Sequence, residues 1–243
     1  MDSVIAFVSG KGGVGKTTMC TMIGCTLAKR GKRVLIIELD SGLRGLDLVL
    51  GIHDKTAYDL SDALKSSGDP YDAVILCEEI SGLYAITAPA DPRYIVEAAD
   101  LKRAVSRLRQ QFDFILMDAP AGVGRNVGAA CLAADKTVIV TTPDAVAVRD
   151  ASLLSYLYAE RQMKNQNLLI NMVHMRKKKR NQIDDFDTVI NTVGAQLLGI
   201  VPFDEATADV LRGGGFEKCL KSNPAIERIA LRLSGKYVKL GIN

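Results

Sequence analysis

The segment Gly10-Lys11-Gly12-Gly13-Val14-Gly15-Lys16-Thr17 fits G-x-x-x-x-G-K-[ST], the spacing of a phosphate-binding loop. The chemistry depends on those residue types. Glycines let successive backbone N–H groups turn toward phosphate oxygens. A helix starting where the loop ends adds partial positive charge at the same place. Lys16 is spaced to reach the β- and γ-phosphates of a nucleoside triphosphate, and Thr17 to give its hydroxyl to Mg²⁺. Thr18, next on the helix N-terminus, is placed for the α-phosphate. The metal needs a carboxylate as well, and Asp118 in "FILMDAPAG" ends an apolar run where one belongs. Without the loop, an aspartate there would be an ordinary cap or turn residue.

Lys11 is a second ammonium group only five positions before Lys16. Two such charges on one short loop repel unless a polyanion lies between them, and both cannot readily approach one phosphate from the same backbone. An early lysine pointing outward could address a nucleotide held by a second subunit. A solvated side chain is the plainer alternative, and charge alone leaves both open.

The elements that must hold these groups are legible as short apolar runs alternating with helix-length stretches. "SVIAFVSG" precedes a helix from Lys16 to about Arg30, "KRVLIIELD" follows, and "LYAITAP" leads into an amphipathic segment from about Ile95 to Gln111. "FDFILMDAPAG", "KTVIVTTPD", "NLLINMV" and "QLLGIVPFD" come next, with helical sequence between them. Apolar strands interleaved with helices predict an α/β fold, a mostly parallel central sheet covered by helices on both faces. No low-complexity linker or internal repeat divides the chain, so one domain over residues 1–243 is expected. The stretch 38–51 is too glycine-rich for a helix but follows a strand end, where open α/β sheets bind their ligands.

Composition bounds the rest. With 243 residues, 48% hydrophobic and 24% charged, the chain can bury a sizeable core, and a net charge of +3 does not by itself imply a polyanionic partner. The five cysteines, Cys20, Cys25, Cys77, Cys131 and Cys219, form no C-x-x-C pair and read as small buried hydrophobes in a reducing cytoplasm. No basic leader with a cleavage site is expected at the N-terminus, and no run of 18 apolar residues is long enough to span a bilayer.

The motif "KGGVGKT" resembles the deviant phosphate loop of the MinD/ParA family of dimerising ATPases, which have a P-loop NTPase architecture of the SIMIBI type. The resemblance implies ATP and Mg²⁺ as ligands. It also implies that Lys11 crosses a two-fold interface to the nucleotide of a second copy, so that ATP joins a homodimer. "LDSGLRGLDLVLG" is similar to the first switch segment of the MinD branch, which puts Asp40 on the carboxylate that orients the hydrolytic water. "DAPAG" is similar to the second switch, where the Gly122 backbone would sense the γ-phosphate. Asn171 and the segment holding Pro202 and Asp204 match positions around the adenine. The similarity runs in order from about residue 3 to about residue 235. It implies a slow, partner-stimulated hydrolase that acts as a spatial regulator, with a cell-division regulatory protein as partner. A DNA- or flagellum-positioning relative and a metal-cofactor-assembly ATPase are the alternatives.

Two residues depart from the family pattern: Glu38 stands where aspartate is common, and Arg125 where an acidic residue is usual. The family's membrane-binding C-terminal helix is also shortened. Pro224 starts a helix whose Ile226, Ile229, Ala230 and Leu233 read as core-covering. After Gly235 only "KYVKLGIN" remains, about two turns, which is shorter than an isolated helix tolerates in water. Peripheral membrane contact through it is therefore an alternative to a purely cytoplasmic protein. The basic run at 176–180 lies beside "DDFD" and reads as a solvated loop rather than a nucleic-acid or lipid contact. His53 and His174 receive no role.

Overall fold

The computed structural model describes residues 4–41, 45–52, 57–161, 165–174, 185–210 and 223–240. Its centre is an eight-stranded sheet in the order β3-β4-β2-β5-β1-β6-β7-β8. The strands are β1 (Val4–Ser9), β2 (Val34–Glu38), β3 (Ile75–Leu76), β4 (Leu83–Ile86), β5 (Phe114–Ala121), β6 (Lys136–Thr141), β7 (Gln166–Val173) and β8 (Gln196–Pro202). All neighbours run parallel except β3 with β4. The seven expected strands are present. The eighth, β3, has two residues, too few for a periodic signal.

β1 shows why the sheet needs cover on both sides. All six of its residues are buried. Val4, Ala6 and Val8 join one apolar core, while Ile5 and Phe7 join the other, as the two-residue repeat of a strand requires. Helices α4 (Ala98–Leu108), α5 (Arg125–Ala133), α6 (Ala145–Glu160) and α7 (Phe186–Val193) contribute to the first core. Helix α1 (Lys16–Lys29) and the last helix, α9 (Pro224–Leu233), contribute to the second. The short helices α2 (Leu46–Val49), α3 (Leu60–Ala63) and α8 (Glu205–Val210) complete the α-helices among the described residues. Gly199 on β8 lets α9 come close, since a Cβ there would lie 2.5 Å from an Ile229 side-chain carbon.

Helix α2 corrects the expectation that residues 38–51 hold no helix. Its first N–H groups are satisfied by the Glu38 carboxylate rather than by a cap read from local sequence. The α9 helix is as expected, with Ile226, Ile229, Ala230 and Leu233 all buried. The segment after it, residues 236–240, is not helical. Arg232 holds it, donating to the carbonyls of Val238 (2.9 Å) and Lys239 (2.6 Å) and to Leu198 on β8 (2.6 Å). Among the described residues no helix is long and apolar enough to cross a membrane. Cys20, Cys25, Cys77 and Cys131 are buried and form no disulfide among the described residues. Cys219, His53 and the basic run 176–180 lie outside the described residues.

Candidate nucleotide-binding site

The strand order turns at β1. Its neighbours β5 and β6 lead away in opposite directions, and the crevice beyond its carboxyl end is where an open α/β sheet binds ligands. The glycine loop occupies that place. Gly13 and Gly15 have φ of 79° and 85°, in the left-handed region that glycine enters without steric cost. Gly15 has a second reason to be glycine, because a Cβ would lie 2.4 Å from Asn171 Nδ2. Asn171 is buried and donates that amide to the Val14 carbonyl at 2.9 Å, so β7 braces the loop.

Helix α1 begins at Lys16 with Gly15 as N-cap, no side-chain cap and no acidic residue in its first turn. Its orphan N–H groups and positive dipole end are therefore left for an anion. The Ser9 hydroxyl, also buried, has no hydrogen-bond partner among the described residues and lines the same cavity. This is a cradle built for phosphate oxygens.

Behind the loop lies the Asp118 carboxylate, fully buried. One oxygen accepts from Lys16 Nζ and the other from the Thr17 hydroxyl, both at 2.6 Å. Asp118 does not end its strand, which continues to Ala121, but it faces the loop as expected. A carboxylate and a hydroxyl side by side suit the oxygen preference of Mg²⁺, with Lys16 as phosphate cation. The residues present fit a Mg²⁺–nucleotide.

Asp40 lines the cavity together with Gly12, Gly13, Val14, Thr17, Thr18 and Ala121. Gly10 sits against α6, where a Cβ would be 2.5 Å from the Asp150 backbone. Gly122 has φ 93°, and its N–H donates to the Ser9 carbonyl at 2.8 Å. Lys11 is half-exposed, and its Nζ lies 3.5 Å from Asp144 of the same chain. Asp144 also caps α6 through the Val146 and Ala147 N–H groups. The Ala147 N–H bond and the nearby Lys11 charge hold its carboxyl below the usual range. Neither reading of Lys11 foresaw this partner.

A second cavity opens beside the first, lined by Thr18, Asn171, Met172, Pro202, Phe203, Asp204 and Thr207. It brings together Asn171, Pro202 and Asp204, the three residues expected around the base. Thr18 and Met172 line both cavities, so the two adjoin there. His174, given no role from sequence, stacks on Phe203 with ring centroids 4.6 Å apart.

Sequence reasoning also passed over Glu38 as a site residue. It is 1% exposed, lines the phosphate cavity and pairs in register with Asp118 on the adjacent strand. Burial pushes its carboxyl up to about 7, against the opposing pull of backbone N–H bonds from Leu46, Ala88 and Gly45. An acid ending an apolar strand was the available signal, the same one that marked Asp118.

Residues 5–214 match the CobQ/CobB/MinD/ParA nucleotide binding domain. The septum site-determining protein MinD of Bacillus subtilis is 32% identical over 251 aligned positions, spanning 100% of this chain and 92% of that protein. The Thermotoga maritima protein of the same name is 31% identical, over 99% of this chain and 91% of that one. Among solved structures, the MinC:MinD cell division protein complex of Aquifex aeolicus superposes with a TM-score of 0.88 at 30% identity, covering 99% of both chains. MinD of Pyrococcus horikoshii complexed with Mg-ADP shares the fold, with a TM-score of 0.82 at 24% identity over 96% of each chain. A phosphate loop in the predicted place and a family match over most of the sequence lead to one conclusion: the chain belongs to the CobQ/CobB/MinD/ParA nucleotide-binding family.

Proposed function

We propose that this chain is a Mg²⁺-dependent ATPase, acting as one domain over residues 1–243, that pairs with a second copy on ATP and serves in choosing the cell-division site. The observation that carries the reading is the Lys16–Asp118–Thr17 arrangement beneath an uncapped helix N-terminus. Full-length likeness to septum site-determining proteins supports the biological role. The partner we infer is a cell-division regulator, as MinC is for the Aquifex aeolicus protein.

Lys16, the Gly122 N–H and Lys11 each have a cis partner that ATP would replace. Lys16 exchanges Asp118 for the β- and γ-phosphate oxygens, which leaves the Asp118 and Thr17 oxygens to the metal's shell. Bound Mg²⁺ supplies charge neutralisation on the phosphate oxygens. The Gly122 N–H exchanges the Ser9 carbonyl for the γ-phosphate, and Lys11 leaves Asp144 for the nucleotide of the second copy. Asp40 orients the attacking water, while Asn171, Pro202 and Asp204 surround the adenine. When the γ-phosphate departs, the cis partners are restored and the pair separates. We place the protein in the cytoplasm, with peripheral contact at the inner face of the cell membrane through the exposed Lys236, Tyr237 and Lys239. Nucleic acid has no part in this reading.

Sedimentation with ATP and Mg²⁺ tests it. Asp40→Ala should accumulate as a dimer and Lys11→Ala should stay monomeric. A Lys11→Ala protein that dimerises like wild type ends the bridging role. Vesicles containing anionic lipid should co-sediment the protein with ATP more than with ADP, and equal pelleting removes the membrane part.

A further inference from the structure

Asp40 and Gly45 both line the nucleotide cavity on the C-terminal side of β2, together with Glu38. One carboxylate fastens Gly45 there. Glu38 Oε1 accepts from the Gly45 N–H at 2.7 Å and the Leu46 N–H at 3.0 Å, and Oε2 accepts from the Ala88 N–H at 3.3 Å beyond β4. The peptide between Glu38 and Asp40 is held as well, with Leu39 N–H donating to the Asp118 carbonyl at 2.9 Å. Ser41 adds a longer bond to the Pro92 carbonyl at 3.3 Å. The bonds from Gly45 and Leu46 therefore both end on Glu38, two residues from Asp40.

We propose that Glu38 is a positioning residue for hydrolysis: by pinning the Gly45 and Leu46 backbone beside the end of β2 it holds Asp40, two residues on, at the cavity wall. This rests on the ATPase reading above. Three N–H groups surround the carboxylate, and no other acceptor among the described residues reaches Gly45 or Leu46 N–H. A buried N–H without an acceptor is strongly disfavoured, so removing the acceptor releases that backbone. Aspartate has one C–C bond fewer, about 1.5 Å less reach, which takes the oxygen out of range of N–H groups now at 2.7–3.3 Å. Glu38 has no bond to the glycine loop, so nucleotide affinity does not depend on it.

The test uses the full chain in two assays. In nucleotide-free Glu38→Asp, hydrogen exchange at the Gly45, Leu46 and Ala88 amides should quicken at least about tenfold. In steady-state hydrolysis the same variant should lose about tenfold in kcat with KM for ATP nearly unchanged. Glu38→Gln keeps the arm and one acceptor oxygen, and should fall between wild type and Glu38→Asp in both assays. If Glu38→Asp fails to fold, Glu38→Gln carries the test alone, judged by the same two changes. Unchanged exchange, or a loss confined to KM, overturns the inference. A wild-type protein without ATPase activity overturns the functional reading instead, and the exchange assay still reports whether Glu38 pins that backbone.

Discussion

Removing the Asp118 charge should destabilise the nucleotide-free protein and do so specifically through Lys16. The ammonium is 7% exposed and lies 2.6 Å from a carboxylate that is itself buried. In Asp118→Asn the amide oxygen accepts from only one of Lys16 and Thr17, and a buried cation is left without a counter-charge. Breaking one side of a buried pair costs about 3–5 kcal/mol. The retained acceptor and the nearby Glu38 carboxylate put this site at the lower end, about 3 kcal/mol. For a chain of this length that corresponds to a fall in Tm of about 6–12 °C. Replacing both partners, as in Lys16→Met with Asp118→Asn, removes the stranded charge, so the double variant should recover much of the loss. Urea denaturation of wild type, both single variants and the double variant, without Mg²⁺ or nucleotide, gives the coupling energy directly. A loss under 1 kcal/mol in Asp118→Asn, or additive losses in the double variant, would refute the claim that this pair is held together as a buried unit.

Three further outcomes follow from the same geometry. Gly15→Ala forces a Cβ against Asn171 at a left-handed φ, so stability should fall by about 2 kcal/mol, and calorimetry should find ATP affinity at least about tenfold weaker. Glu38 is raised from an ordinary 4.5 to about 7 by burial, so its contribution to stability is full below pH 4.5 and lost as pH rises to 7. At about 1.4 kcal/mol per pH unit, nucleotide-free wild type should lose about 3 kcal/mol relative to Glu38→Gln over that window in paired denaturation curves. Asp144→Ser keeps an α6 cap but releases Lys11; an exposed pair is worth about 0.2–1 kcal/mol, and two are given up per dimer. ATP-dependent dimerisation should therefore tighten about twofold or more in sedimentation, and weaker association would show that Asp144 acts across the interface instead.

The phosphate loop could be read because its requirements are local. Glycine at positive φ, a lysine and a hydroxyl at the helix start are set by contiguous residues, and the structure places Gly13, Gly15, Lys16 and Thr17 as that spacing demands. The seven longer strands were legible for the same reason: each is built around a short apolar run, as a doubly covered sheet imposes. What failed to show in the sequence depends on distant partners. Glu38 is separated by seven residues from Gly45 and by fifty from Ala88, and helix α2 exists where no local cap supports it. Lys11 meets Asp144 because β1 lies beside β6, and His174 meets Phe203 because β7 lies beside β8. The amino-acid order by itself therefore determined which residues can cradle a phosphate and that a covered parallel sheet would present them. Which carboxylate each cation and each stray N–H meets was decided by strand order, because a hydrogen bond is a matter of ångströms in space and carries no trace along the chain.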